Sequence, residues 1–322
     1  MQKYNPSFSK YIKPKNSIFY VVENNNKKFF IKERKYTTKE EHILNLRDIV
    51  REFYALKFME YFNKMMLEKN KDRETYNYLK RIIFPKAYGI ADDGKGKIII
   101  VQDFLDYELK GGNIFKHFIE LLEKRNYEKF LEDFSKLSKL LSALFHFKKN
   151  RLLHNDFNPR NTLYDFSSSE GKIALIDNEM LSPLEILLYH SDGYIKRKLN
   201  LEESEREFLE NLIKKENRNF LDSLIIGTAY LLRNNGINIP KDDIFMIKHY
   251  VINTFKDQYN KIRNIFENKE ELNYNPIWQF EAHYLALKDL EKSDLFKEFN
   301  GVVIKENKNK TRIFLSALVK PY

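Results

Sequence analysis

The hydrophobic pattern of this chain changes character after its first third. Up to about residue 105 it consists of short runs rich in β-branched and aromatic residues, such as "NSIFYVV", "KKFFIKE" and "GKIIIVQDFL", which are typical of strands. After Gly111 and Gly112 the apolar residues recur at spacings of three and four, as they do along amphipathic helices. A chain that is strand-rich first and helical afterwards predicts an α+β fold built from two parts.

The first part predicts the order strand, strand, helix, strand, strand. The polar "ENNN" separates the first two strands as a hairpin signal, and "ADDGKG" separates the last two. Between the pairs, Thr38 and Glu41 have the spacing of a capping box, which predicts a helix from Thr38 to about Met66.

The second part predicts mainly helices. Apolar residues between Phe130 and Leu144 repeat at helical intervals, and two later segments, "EREFLENLIKKENRNFLDSLIIGTAYLLR" and "IFMIKHYVINTFKDQYNKIRNIFE", do the same. The run "GKIALID" interrupts the helices as a buried strand, and "GVVIKENKNKTRIFLSALV" near the end predicts a hairpin.

Composition narrows the function. No segment approaches the roughly 18 uninterrupted apolar residues of a membrane span, and the first residues lack the apolar core of a signal peptide. We therefore expect a cytoplasmic protein without an integral membrane segment. The absence of cysteine excludes disulfides, thiolate zinc sites and cysteine nucleophiles.

The formal net charge is +10, but the basic residues are dispersed among 46 acidic ones. We expect no nucleic-acid partner, because such partners select for clustered rather than interleaved basic residues. Peripheral contact of a basic face with an anionic membrane stays open, and the same field would attract the phosphates of a nucleotide.

The stretch "LLHNDFNPRNTLYD" carries the residues that indicate chemistry. Asp156 and Asn161 lie five residues apart in a loop that Pro159 stiffens, and Asp177 follows the apolar run "IALI" sixteen residues after Asn161. Phosphoryl transfer needs one carboxylate to orient and deprotonate a hydroxyl, and further oxygen ligands for magnesium on the nucleotide phosphates. Asp156 suits the first task, and Asn161 with Asp177 the second.

These motifs resemble the protein-kinase-like fold, in the branch of aminoglycoside phosphotransferases and choline kinases. "HNDFNPRN" is similar to the H-x-D-x-x-x-x-N loop of that branch, and "LIDNE" is similar to its I-D-x-[D/E] motif. The resemblance covers residues from about 15 to 185. It implies a β-rich N-terminal nucleotide-binding lobe, residues 1–105, and a helical C-terminal catalytic and acceptor-binding lobe, residues 106–322.

The resemblance also implies roles in nucleotide binding. Lys32 in "FFIKE" corresponds to the family's phosphate-binding lysine, and Glu52 to the helical glutamate that pairs with it. The hinge around Asp103 to Leu105 corresponds to the backbone that hydrogen-bonds adenine. The expected cofactors are ATP and magnesium, with the choice between ATP and GTP left open.

Three further positions follow from the same resemblance. Asn16 and Ser17 correspond to a serine and asparagine loop that offers donors to phosphate, because no glycine-rich loop is present. Glu179 corresponds to an acidic position that helps to bind a second metal ion. His154 is expected to brace the loop through hydrogen bonds rather than to take part in catalysis.

Asn155 and Asn158 stand where protein kinases carry arginine and lysine, which favours a small-molecule kinase. The resulting prediction is an ATP- and magnesium-dependent phosphotransferase whose acceptor is a hydroxyl of an aminoglycoside, a choline-like compound, a sugar or a lipid headgroup. A protein serine or threonine kinase and a nucleotide-binding pseudokinase scaffold stay open as alternatives, and the oligomeric state is unknown. Arg160, where this branch commonly has glycine, has no explanation at this level.

One alternative concerns a run of glutamates in "LEESEREFLE", which would suit a cationic acceptor. Its simpler interpretation is an exposed helix start, where carboxylates interact favourably with the helix dipole. The glutamates are Glu202, Glu203, Glu205, Glu207 and Glu210.

Overall fold

A computed structural model describes residues 2–4, 17–105, 112–149, 151–168, 170–191, 205–267 and 272–293 of the chain. The strands are β1 Gln2–Tyr4, β2 Ser17–Asn24, β3 Lys27–Lys35, β4 Ile82–Ile83, β5 Ala87–Asp92, β6 Lys97–Asp103, β7 Leu152–Leu153, β8 Thr162–Tyr164, β9 Ile173–Leu175 and β10 Ser182–Pro183. The helices are α1 Lys39–Lys69, α2 Glu74–Leu79, α3 Ile114–Glu123, α4 Tyr127–Lys148, α5 Leu184–Ser191, α6 Glu205–Asp222, α7 Thr228–Asn234, α8 Lys241–Glu267 and α9 Ile277–Glu291.

A five-stranded antiparallel sheet forms the N-terminal lobe, in the order β1-β2-β3-β6-β5. The hairpin between β2 and β3 turns through Asn25 and Asn26, whose φ angles of 50° and 60° are left-handed. Asparagine tolerates this region better than most residues, and two successive left-handed residues match the twist of a tight hairpin. Both predicted strand pairs are therefore present.

Helix α1 packs against this sheet. Its capping box is formed as the sequence predicts: the Thr38 side chain accepts from the Glu41 N–H at 3.1 Å, and the Glu41 carboxylate accepts from the Thr38 N–H at 3.4 Å. The helix extends three residues beyond the predicted Met66, to Lys69.

Helices make up most of the C-terminal lobe, with α4 at their centre. The five apolar residues whose spacing predicts α4 are fully buried: Phe130, Phe134, Leu137, Leu141 and Leu144. Helix α8 packs along α4, and one hydrophobic cluster continues from α1 into this lobe. The predicted α+β fold, with a β-rich N-terminal lobe and a helical C-terminal lobe, is confirmed.

Several elements differ from the sequence interpretation. Helix α2 and strand β4 follow α1 without having been predicted, and β4 pairs in parallel with β9, so that Ile82 lies opposite Ile173. A π-helical turn, Ser223–Gly227, separates α6 from α7 within what the sequence indicates as one helical segment. The predicted C-terminal hairpin lies outside the described residues, and the lobe boundary at residue 105 stays a prediction.

The late helix α9 returns to the N-terminal lobe and packs along α1. The Tyr54 hydroxyl lies 2.6 Å from His283 Nδ1, and the Tyr61 hydroxyl donates to Asp289 Oδ2 at 2.6 Å. His283 thus joins helices that are more than 200 residues apart in the chain. Among the described helices, none has both the length and the apolar character needed to cross a bilayer.

Candidate active site

Lys32 connects the two lobes at the predicted site. It lies in the middle of β3 and is only 6% exposed. Its Nζ donates to Glu52 Oε2 at 2.8 Å and to Asp177 Oδ1 at 2.9 Å. Glu52, on the buried face of α1, is 1% exposed. A buried ammonium between two carboxylates is well compensated, so this arrangement fixes α1, β3 and the end of β9 relative to one another.

Asp177 follows β9 in a left-handed backbone conformation, with φ of 56°. Few residues other than glycine adopt this region, and such strain concentrates at functional sites. Burial raises the pKa of the Asp177 carboxyl, but the charges around it, chiefly the hydrogen-bonded Lys32 ammonium, together hold that pKa below its usual range. Asp177 is therefore ionised, with 39% of its side chain accessible to solvent.

The loop from Asp156 to Asn161 brings its two predicted residues into contact. Asn158 caps a short 3-10 turn, Pro159–Asn161, with its side chain accepting from the backbone N–H groups of Arg160 and Asn161. This turn folds Asn161 back, so that its Nδ2 donates to Asp156 Oδ2 at 2.7 Å. Asn158 Nδ2 donates to Asp156 Oδ1, also at 2.7 Å. The two amides fix the orientation of the carboxylate.

The ionisation of Asp156 is set by opposing effects. Solvent reaches the residue, yet the protein around the carboxylate partly buries it and raises its pKa. The hydrogen bond from Asn161 lowers the pKa, and the negative charge of nearby Asp177 raises it again. The net result is a pKa above the usual value for aspartate, which makes the carboxylate a better proton acceptor.

The loop is anchored from behind by a residue that sequence analysis missed. Glu216, on α6, accepts from the backbone N–H of His154 at 3.1 Å and from the N–H of Asn155. The same carboxylate accepts from Lys148 Nζ at 3.0 Å. The Lys148 side chain is 1% exposed and lies 3.5 Å from the centre of the Phe157 ring. Glu216 occurs in the charged run "KKENRN", which gave no signal of burial.

The bracing role expected of His154 stays a prediction. The residue is fully buried, with its imidazole beside Asn178. Burial, reinforced by the charge of Lys148, lowers the pKa of His154 to about 4, and a side-chain hydrogen bond with Asn178 opposes this shift. The ring nitrogens and Asn178 Oδ1 lie outside strict hydrogen-bond geometry. The ring is therefore uncharged at neutral pH, and Glu216 braces the loop through the backbone N–H groups of His154 and Asn155.

A second ion pair runs beside the Lys32 and Glu52 pair. Arg34, two residues further along β3, donates to Asp48 Oδ2 at 2.7 Å. Asp48 lies one helical turn before Glu52, so the two β3 cations contact the same face of α1. Arg34 also lowers the pKa of Asp177. The pair adds a second tether between the sheet and α1.

The remaining predicted residues lie at the margins of the described site. Ser17 begins β2 opposite Arg34, and Asn16 lies outside the described residues. The Asp103 N–H donates to the carbonyl of Lys86 at 2.9 Å, and the Asp103 carboxylate accepts from the Tyr88 hydroxyl at 2.6 Å. Leu105 follows the end of β6. The side chain of Glu179 is outside the described part of the chain.

Part of the glutamate run can be placed. Glu207 is exposed on α6, and Glu210 lines a cavity of about 250 Å³ together with Lys149, Lys214 and Arg263. Asp156, Asn158 and Asn161 are not among the residues that line that cavity. Glu202, Glu203 and the side chain of Glu205 lie outside the described residues.

The oxygen donors at the site fit magnesium. Asp177 engages Lys32 through Oδ1, and Asn161 uses its amide nitrogen on Asp156, so a second carboxylate oxygen and an amide oxygen are left to face a cation. Magnesium takes few protein ligands, prefers oxygen and keeps several waters. Within the described ranges no group of three or more histidine, aspartate or glutamate side chains is arranged to hold a metal ion.

The fold and the site together define a class. The antiparallel sheet carries the buried Lys32, and α1 carries the glutamate that pairs with it. The loops of the helical lobe supply Asp156 with Asn161, and Asp177. This is the two-lobed kinase-like arrangement that the sequence resemblance implies.

Comparisons with known proteins give no family and only a weak structural likeness. No protein-family model matches the sequence, and no curated protein matches it either. Among solved structures 93 chains match, and one of them is "WaaP in complex with acyl carrier protein". It is 10% identical, with a TM-score of 0.35, over 90% of this chain and 88% of that chain. A likeness of this size supports no inference about the activity of the present chain.

Proposed function

We propose that this chain is a phosphotransferase that moves the γ-phosphoryl group of ATP to a hydroxyl of a small molecule. One observation carries the proposal: a buried lysine held between Glu52 and Asp177 lies in the same site as a carboxylate, Asp156, that two amides orient. Structural ion pairs are common in proteins. Phosphoryl transfer, however, requires a cation for phosphate, a carboxylate oxygen for metal and an oriented base, and Lys32, Asp177 and Asp156 would supply them.

Each residue has a role in this proposal. Lys32, held by Glu52, binds phosphate oxygens of the nucleotide. Asn161 and Asp177 hold magnesium, which when bound neutralises charge on those oxygens. Asp156 accepts the proton of the acceptor hydroxyl as the new oxygen–phosphorus bond forms and the bond to the ADP oxygen breaks. The protein contributes mainly position and charge, as expected for this reaction.

The proposal is tested with labelled ATP, magnesium and a whole-cell metabolite extract as the source of acceptors. We expect wild type to label an extract component, and Asp156→Ala to lower the rate by roughly 100- to 10,000-fold, the usual worth of a positioned base. Binding of ATP should survive in that variant, because Lys32, the proposed phosphate-binding cation, is held by Glu52 and Asp177. Asp177→Ala serves as the blank.

The matched control is Asp165→Ala. Asp165 lies in the same region of the chain, but its carboxylate accepts from Ser167 rather than from the site amides. Loss of transfer in Asp156→Ala together with normal transfer in Asp165→Ala would support the assignment. Equal rates in wild type and Asp156→Ala would refute it, and ATP binding without transfer to any component would favour a nucleotide-binding scaffold.

A further inference from the structure

Arg160 is a charged residue of the Asp156 to Asn161 loop that the proposed mechanism does not use. It is exposed at the middle of the 3-10 turn, four residues after Asp156 and directly before Asn161. An exposed arginine is ordinarily a mobile surface group, so its local contacts decide whether it has a specific role.

The structure holds Arg160 from several sides. Its backbone N–H donates to Asn158 Oδ1 at 2.9 Å, and its carbonyl accepts from Asn113 Nδ2 at 2.7 Å. The guanidinium carbon lies 5.4 Å from the centre of the Phe115 ring, within the range of a cation–π contact. Phe115 is itself 5% exposed, at the start of α3. The arginine is thus oriented without any carboxylate.

Other cations around the site are neutralised. Lys32, Arg34 and Lys148 each contact a carboxylate oxygen at 2.7 to 3.0 Å. Arg160, in contrast, forms no ion pair within the described part of the chain. Its charge nevertheless reaches Asp156, whose pKa it lowers. A positive charge that is fixed, exposed and not paired beside the base is available to an anion that enters the site.

The side chain of Arg160 points away from the neighbouring Asn161 amide. Successive residues of a 3-10 helix point about 120° apart, and the Asn161 amide donates to Asp156. The Arg160 guanidinium instead lies over the Phe115 ring, on α3 of the helical lobe. Lys32, the cation proposed for the nucleotide phosphates, lies on the sheet, so the two cations belong to opposite lobes.

We infer that Arg160 binds an anionic group, a phosphate or a carboxylate, that the acceptor carries near the hydroxyl to be phosphorylated. The inference rests on the proposed function and narrows its acceptor class. The acceptor is an anionic hydroxyl compound, such as a phosphorylated or acidic sugar or headgroup, rather than a cationic aminoglycoside or choline. An arginine suits this task because its planar donors match both kinds of oxyanion.

A whole-cell metabolite extract is divided by ion exchange into anionic, neutral and cationic pools. Each pool is then incubated with the protein, labelled ATP and magnesium. We expect wild type to label the anionic pool. Arg160→Gln should raise the KM for that pool and lower kcat/KM by about 10- to 100-fold, the usual effect of losing a hydrogen-bonded charge. Treating the pool with alkaline phosphatase beforehand separates the two sources: lost labelling indicates a phosphate, and retained labelling a carboxylate.

The matched control is Lys116→Gln, which removes a neighbouring cation next to Phe115 on α3 and should leave transfer unchanged. Thermal unfolding of Arg160→Gln shows whether a lower rate comes from loss of folded protein, and Arg160→Lys should restore part of the activity by returning the charge.

The outcomes separate this inference from the function on which it rests. Wild type that neither binds ATP nor transfers phosphate refutes the proposed function. Labelling confined to the neutral or cationic pool leaves the function in place and overturns the anionic acceptor. ATP hydrolysis without labelling of any pool refutes transfer to a small molecule and, with it, the anionic acceptor. Equal kcat/KM of Arg160→Gln and wild type on the anionic pool overturns the role of Arg160.

Discussion

Glu216→Ala tests whether one carboxylate both anchors the loop that carries Asp156 and compensates a buried cation. The side chain of Lys148 is 1% exposed and pairs with Glu216 at 3.0 Å. Even with this partner, burial lowers the pKa of Lys148 from 10.5 to about 8. At about 1.4 kcal/mol for each pKa unit, keeping this lysine charged at neutral pH already costs about 3 kcal/mol.

Removing Glu216 leaves that charge without its counterion, and the backbone N–H groups of His154 and Asn155 without their acceptor. Breaking a buried pair from one side costs roughly 3–5 kcal/mol, and we expect this loss in the free energy of unfolding. Lys148→Met should change it by less than about 2 kcal/mol, because methionine fills the same space and Glu216 keeps both backbone donors.

Urea denaturation at neutral pH measures both variants, with Glu207→Ala, an exposed change on the same helix, expected to stay within about 0.5 kcal/mol of wild type. The reasoning fails if Lys148→Met is as destabilising as Glu216→Ala, or if Glu216→Ala loses less than about 1 kcal/mol.

The pH dependence of the free energy of unfolding is an independent test of the buried Lys148 charge. Folded protein releases the Lys148 proton near pH 8, whereas the unfolded chain holds it to about pH 10.5. Between these values the unfolded state binds more protons, so the free energy of unfolding of wild type should rise with pH relative to Lys148→Met. A flat difference between the two proteins over this range would contradict the buried charge.

Three further predictions follow from other parts of the molecule. Gly171→Ala should lose about 1–3 kcal/mol in denaturant unfolding, because φ is +63° and the added carbon would lie within 2.9 Å of three Tyr164 atoms; wild-type stability would contradict this. Tyr54→Phe should lower the free energy of unfolding by about 1 kcal/mol, because it removes the hydrogen bond to His283. An unchanged free energy in denaturant unfolding would contradict that hydrogen bond. Because partial burial raises the pKa of Asp156, kcat/KM should fall as the pH drops through a value above the usual 3.8, and an acid limb at or below 3.8 would exclude Asp156 as the base.

Local patterns predicted the fold well. The capping box of Thr38 and Glu41, the hairpin through Asn25 and Asn26 and the apolar spacing of α4 each depend on residues within one element, where sequence neighbours are also neighbours in space. The site could also be predicted from order along the chain. Lys32 lies on the second strand of the first hairpin, Glu52 lies within the first long helix, and Asp177 follows a buried strand.

Contacts between distant segments could not be predicted in this way. The pairing of β4 with β9 joins Ile82 to Ile173, and neither run is long enough to show its partner. Glu216 looked like one charge in a solvated run, because only the folded chain brings it under the loop. The complete burial of His154 beside Asn178 likewise depends on the folded chain, which a motif cannot show.

The packing of α9 on α1 has a consequence for how the molecule is made. Tyr54 and His283 are separated by 229 residues, and Tyr61 and Asp289 by 228. The ribosome completes Glu52 and its helix long before it delivers the segment that covers that helix. A growing chain can therefore form its sheet early, yet the helix that presents Glu52 to Lys32 gains this support only after synthesis has passed α9. The lysine and glutamate pair thus reaches its final packing mainly after α9 has left the ribosome.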